Sequence, residues 1–192
     1  MSFLSRKKSA GFSLVELLVI VAITMTIGGS IFASYRQGQR EAEVRDTVAN
    51  MVSMLRRAQS ASQSGMRHQG NATTHYKLSV NESDPAYYLC AVVAGDIETI
   101  SCPPNRIVET GYIPSKVNIS SISFIPAGSG SGGLGLLAVE GDVAFKNPFA
   151  DITFISDATD STFKGTMIIS IEGRGASNRI LVDSLSGTIN VQ

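Results

Sequence analysis

The chain has 192 residues, with 16 basic and 16 acidic side chains and a formal charge of zero. That balance excludes a broad electrostatic attraction to nucleic acid or anionic lipid, and the length leaves one modest globular domain once a leader and a membrane helix are set aside. Tryptophan is absent and aromatic residues make up only 7% of the chain, while glycine occurs 18 times, which suits a loop-rich β domain.

Residues 1–11 are too short and polar to fold, and Arg6, Lys7 and Lys8 put three positive charges just before Gly11. From Phe12 to Ala33 the run is mostly apolar, with Glu16 as its only ionisable side chain. At about 1.5 Å rise per residue this run is long enough to cross a hydrocarbon core of about 30 Å. A carboxylate on a spanning helix costs about 2.5–3.5 kcal/mol, so Glu16 calls for a functional reason unless it lies near enough to the surface to snorkel. By the positive-inside rule the leader stays cytoplasmic and everything after the helix is exported. An ordinary secretory signal has an apolar region of only about 7–15 residues before a small-x-small cleavage site. Here the run is longer and Ile31-Phe32-Ala33 is bulky at the first position, so residues 12–33 are expected to stay as a transmembrane helix.

The helical pattern continues over 34–65. Val44, Val48, Met51, Val52, Leu55, Ala58 and Ser62 recur at three- and four-residue steps and mark one apolar stripe. Arg40, Glu41, Glu43, Arg45, Asp46, Arg56 and Arg57 lie mostly off it, and Gly65 is placed to end the helix. One helix from about Phe12 to Ser64 would be ~80 Å long, half in lipid and half packed on a domain. Gly28-Gly29 and Gly38 are its soft spots; the glycine pair serves either as a melting point or as a site of close helix packing.

Past Gly65 the helical period stops, and Met66 to Thr74 is polar and reads as a connector. Short β-like runs follow at His75–Val80, Ala86–Val93, Val117–Ile125, Leu134–Val139, Asp151–Ile155, Thr166–Ile171, Arg179–Asp183 and Thr188–Val191. The phase changes within Val117–Phe124, as at a bulge. Turn signals at Asp84-Pro85, Cys102-Pro103-Pro104-Asn105, Gly173-Arg174-Gly175 and Ser186-Gly187 separate them. The glycine-serine run 128–133 reads as a hairpin loop, because it lacks the lysine and the following helix of a phosphate cradle. The expected fold is α+β: a long N-terminal helix packed on an antiparallel sheet or small sandwich formed by residues 66–192.

Cys90 and Cys102, 12 positions apart, form neither a CxxC motif nor a zinc site. In an oxidising compartment a disulfide is the natural reading, with reduced, partly buried thiols as the alternative.

The basic Arg6, Lys7 and Lys8, then Gly11, Phe12 and Glu16, then the apolar helix, resemble the signal of type IV pilins and type II secretion pseudopilins. The resemblance implies that a prepilin peptidase cuts between Gly11 and Phe12 and methylates Phe12, leaving Glu16 as the fifth mature residue. Without the leader, 13 basic residues would face 16 acidic ones. It further implies assembly with other pilin or pseudopilin subunits, at an inner membrane platform, through the helix and Glu16. Leu55-Arg56-Arg57-Ala58-Gln59, Phe124-Ile125-Pro126-Ala127-Gly128 and a closing strand pair across Gly187 resemble the FimT/GspH-like minor pilins. Some of those bind DNA through a C-terminal Gly-Arg-x-Arg element; the matching place here reads Gly187-Thr188-Ile189-Asn190, so no nucleic-acid partner is expected.

No convergent acid–base or nucleophile set is visible, so no enzyme and no cofactor are expected. His68 and His75 read as surface residues, and Asp151, Asp157 and Asp160 as a solvated acidic loop rather than a cation site. Asn71, Asn81 and Asn118 begin glycosylation sequons, short patterns that occur by chance. The expectation is a structural filament subunit, with an anchored adhesin or DNA-uptake module as the alternative.

Overall fold

The computed structural model describes residues 13–93, 102–128, 136–146, 151–157, 161–173 and 175–192. Among the described residues the elements are one α-helix, α1 (Leu14–Gln63), a short 3-10 turn at Pro104–Arg106, and twelve strands. The chain divides into two compact units, Met1–Gln39 and Arg40–Gln192.

In the Arg40–Gln192 unit the helical stripe is buried as its spacing predicts. Val44, Met51, Leu55 and Ala58 are fully buried, and Thr47, Met54 and Ala61 widen the stripe. The helix ends on Gly65, whose φ of 63° belongs to the left-handed region. Met66 N–H donates to Ala61 O at 3.2 Å and Gly65 N–H to Ser62 O at 3.3 Å, the paired bonds of a Schellman cap.

Residues 66–74 are not a plain connector. Strand β1 (Arg67–His68) turns back onto β2 (Asn71–Asn81), with Arg67 opposite Ala72. Gln69 (φ 51°) and Gly70 (φ 82°) both take positive φ, the geometry of a tight hairpin turn. Glutamine is not a residue that announces such a turn, so polarity alone suggested a loop.

Two antiparallel sheets follow. The first also contains β3 (Ala86–Val93), β4 (Ile107–Tyr112), β7 (Glu140–Lys146), β8 (Asp151–Ser156) and β9 (Ser161–Phe163), in the order β4-β3-β2-β7-β8-β9 with β1 on β2. The second contains β5 (Asn118–Pro126), β6 (Leu136–Ala138), β10 (Gly165–Gly173), β11 (Ala176–Asp183) and β12 (Thr188–Val191), in the order β12-β11-β10-β5-β6. The expected phase change in β5 is a bulge: Ser121 faces Ser170 but Ile119 faces Ile171, leaving Ser120 extra. The glycine-serine run lies mostly outside the described residues; β5 and β6 on either side of it pair antiparallel, as in a hairpin.

The buried helical stripe and the inner faces of both sheets form one hydrophobic cluster. The sheets meet where the Phe124 ring lies 5.0 Å from that of Phe163 and 5.9 Å from that of Phe154. Gly141 allows this approach, since a Cβ there would stand 2.7 Å from Phe124 Cζ. The helix is tied to both sheets. Arg57 pairs with Glu109 on β4 at 2.9 Å, Ser62 Oγ donates to Phe145 O on β7 at 2.9 Å, and Gln59 Nε2 donates to Gly187 O beside β12 at 3.4 Å.

The outer face of the first sheet is buried as well. His75, Lys77, Ser79, Cys90, Asp142, Ala144 and Thr153 all lie on it. Lys77 (2% exposed) and Asp142 (0%) form an ion pair there, with Nζ 2.6 Å from Oδ2.

Candidate assembly site

The first described residue, Ser13, caps α1: its carbonyl accepts from Leu17 N–H at 3.1 Å. Gly11 and Phe12, the residues of the expected cut, lie outside the described residues. Glu16 sits in the first turn of the helix and is exposed. A carboxylate in that position faces the positive end of the helix dipole, worth roughly 0.3–1 kcal/mol to the helix.

The residues after Glu16 show why the segment suits an apolar solvent. From Leu14 to Phe32 the other polar side chains are Thr24, Thr26 and Ser30, and all three bond back to their own helix. Thr24 Oγ1 donates to Ile20 O at 3.0 Å, Thr26 Oγ1 to Ala22 O at 2.8 Å and Ser30 Oγ to Ile27 O at 2.8 Å. Outside water an unmade hydrogen bond costs several kcal/mol, so this leaves little in the span that needs solvating. Leu14, Leu17, Leu18, Ile23, Met25 and Ile27 are all more than half exposed. The helix passes through Gly28, Gly29 and Gly38 without a break, and a Cβ at any of them would meet nothing within 4 Å. An apolar window of mean hydropathy 2.2 makes α1 a candidate membrane span.

At the far end of the apolar run, Arg36 lies over the Phe32 ring, 4.7 Å from its centroid, and Gln39 Nε2 donates to Tyr35 Oη at 3.1 Å. Aromatic bodies with polar tips and a basic neighbour are the residues that settle at a membrane–water boundary. Sequence reasoning passed over these two pairs, although their four-residue spacing was visible.

Glu16 is the exception within the span. Among the described residues it has no hydrogen bond or ion pair.

Residues 6–32 match the profile of the prokaryotic N-terminal methylation motif. The chain carries the type IV pilin and pseudopilin signal. Proteins with this motif are structural rather than catalytic, and it supports a pilin-like exported subunit, anchored in a membrane and then taken into a filament with other subunits. No curated protein and no solved structure matches the chain.

Cys90 and Cys102 are joined by a disulfide with their Cα atoms 6.1 Å apart, inside the ordinary range. His75 is not a surface residue: it is 3% exposed on β2, with Nδ1 3.1 Å from Thr74 Oγ1. A polar flank hid it, because the strand begins earlier than its apolar run. Asp151 pairs with Lys164 at 2.8 Å, Asp157 is exposed, and Asp160 lies outside the described residues. Among the described residues no group of His, Cys, Asp and Glu could hold a metal ion. Arg174 also lies outside them, and Arg179 is exposed on β11.

Proposed function

We propose that the chain is a minor pilin or pseudopilin of a type IV pilus or a type II secretion pseudopilus. It enters the inner membrane with residues 1–11 cytoplasmic and residues 66–192 exported, anchored by 12–33. Prepilin peptidase removes the leader after Gly11 and methylates Phe12, and an inner membrane platform moves the mature subunit into the filament. The observation that carries this reading is the Glu16 carboxylate, which has no partner among the described residues, in a span whose other polar side chains bond to their own helix. A lone charge in an apolar medium gains most from an opposite charge, and the new N-terminal amine of a neighbouring subunit supplies one. The sandwich behind the helix and the strand pair across Gly187 favour a FimT/GspH-like subunit.

Intact mass of the membrane-extracted protein tests the processing step. The mature species should begin at Phe12 with one added methyl group; a species beginning near Ser34 would instead mean ordinary signal-peptide cleavage. Glu16→Leu tests docking. Membrane insertion should hold or improve, since about 2.5–3.5 kcal/mol of charge cost disappears, while the filament fraction should fall roughly tenfold.

A further inference from the structure

The last strand leaves one edge open. Arg179 and Gln192 exchange both backbone bonds, at 2.8 and 2.9 Å. In an antiparallel ladder such pairs alternate with non-bonded ones, so Leu181–Asn190 and Asp183–Thr188 also bond. The N–H and C=O groups of Ile189 and Val191 therefore point away from β11. Among the described residues no strand lies on that side of β12.

Beside this edge runs a groove of about 520 Å³ between α1 and β12. Val48, Ala49, Val52 and Val191 give it apolar walls, and Arg45 and Arg56 flank it; among the described residues no carboxylate lines it. Arg57 lines it too but is held by Glu109. Arg45 and Arg56 are exposed and make no ion pair among the described residues. They stand eleven positions apart on one helix, hence on one face and separated by about 16 Å. Extended chain covers that distance in about five residues.

We propose that the β12 edge and this groove accept an extended, acidic strand from a partner protein, with apolar side chains toward Val48 and Val52 and carboxylates near both ends. Backbone pairing supplies the affinity and the two arginines set the sign of charge. A second copy of this chain is a poor occupant. Thr188–Val191 carries no charge, and two-fold pairing of β12 edges would bring two sets of Arg45 and Arg56 together. The inference stands whether or not the chain joins a filament.

The test uses the full chain in detergent micelles and a fluorescent peptide of about nine residues, alternating valine and threonine with a glutamate near each end. A counterpart carries lysine in place of glutamate. Anisotropy titration should show the acidic peptide binding at least roughly tenfold more tightly than the basic one, with the gap narrowing as salt rises. Val191→Pro removes one outward N–H while keeping the Asn190 and Gln192 donors to β11, and should weaken binding roughly tenfold. Arg45→Glu with Arg56→Glu should reverse the preference between the peptides, a gain that a misfolded protein cannot give. Absence of binding, equal binding of both peptides, or indifference to Val191→Pro would overturn the proposal. So would a peptide-independent dimer in sedimentation that Val191→Pro dissolves, which would assign the edge to a second copy.

Discussion

One continuous helix serves two different surroundings, and its two portions handle polarity in opposite ways. Up to Phe32 its large apolar residues stand exposed on every side, and its hydroxyls bond to carbonyls of their own helix. From Val44 onward the apolar residues collect on one stripe, and polar groups reach outward to partners distant in the chain, such as Phe145 and Glu109. The first portion follows the rule of a solvent without hydrogen bonds; the second follows the rule of a soluble core. Each portion also holds an unusual charge. Glu16 has no partner among the described residues, whereas buried Asp142 has Lys77 at 2.6 Å. An unpaired carboxylate looks outward for its complement, and a paired one is an internal matter of the fold.

The sharpest way to break this contrast is to unpair the internal charge. Lys77→Met should cost the globular unit about 3–5 kcal/mol in urea unfolding, because Asp142 is then buried without its cation and keeps only the Ser79 hydrogen bond. Lys77→Met combined with Asp142→Leu should recover most of that loss, since packed apolar groups replace both charges. Burial outweighs the attraction of Lys77 and raises the Asp142 pKa from 3.8 to about 6. The folded state therefore holds this proton more tightly than the unfolded chain does. The stability linked to it, about 3 kcal/mol, is fully present below pH 4 and is lost as pH rises through 6. Relative to the double variant, the wild type should accordingly lose stability between pH 4 and pH 7; a flat difference would contradict the raised pKa.

A smaller effect separates the two apolar surfaces. Leu55 is fully buried and Leu18 is 63% exposed. Leu55→Ala should destabilise the globular unit by about 2–5 kcal/mol. Leu18→Ala should leave that unfolding transition within about 0.5 kcal/mol of wild type. If both substitutions moved the transition equally, the division of the helix between two surroundings would be wrong.

These differences also explain what the sequence made legible. The helix, its stripe and its glycine cap follow from local periodicity, and so do β3 and β12, whose apolar runs match the strands end to end. Strand β7 was missed because it opens with Glu140-Gly141-Asp142, residues that local propensity assigns to turns. Each has a tertiary reason for its place: Gly141 admits the Phe124 ring and Asp142 meets Lys77, 65 positions away. Strands β4 and β9 were missed as edge strands with little apolar content; Ile107–Tyr112 is half-exposed and Ser161–Phe163 is very short. At the candidate site the motif named Glu16 without help from the structure. The groove beside β12 was not legible, because it joins α1 to a strand more than 130 positions from the middle of its helical wall.

The mildest expected effect belongs to the disulfide. Cys90 lies on β3 opposite Lys77 on one side and Ile107 of β4 on the other, and Cys102 stands just before the short turn Pro104–Arg106 that leads into β4. The bond therefore pins the entrance of an edge strand rather than two distant parts of the core. Closing a loop with a separation of 12 residues contributes about 2–3 kcal/mol by restricting the unfolded chain. Cys90→Ala with Cys102→Ala should lower stability by that amount. Hydrogen exchange should quicken first along Ile107–Tyr112, where Glu109 also loses its fixed approach to Arg57, while β10 and β11 keep their protection. Uniform loss of protection across both sheets would show instead that the bond supports the whole sandwich. Digestion without reductant should yield a cross-linked Cys90–Cys102 peptide, and free thiols in protein taken from outside the cytoplasm would remove the premise.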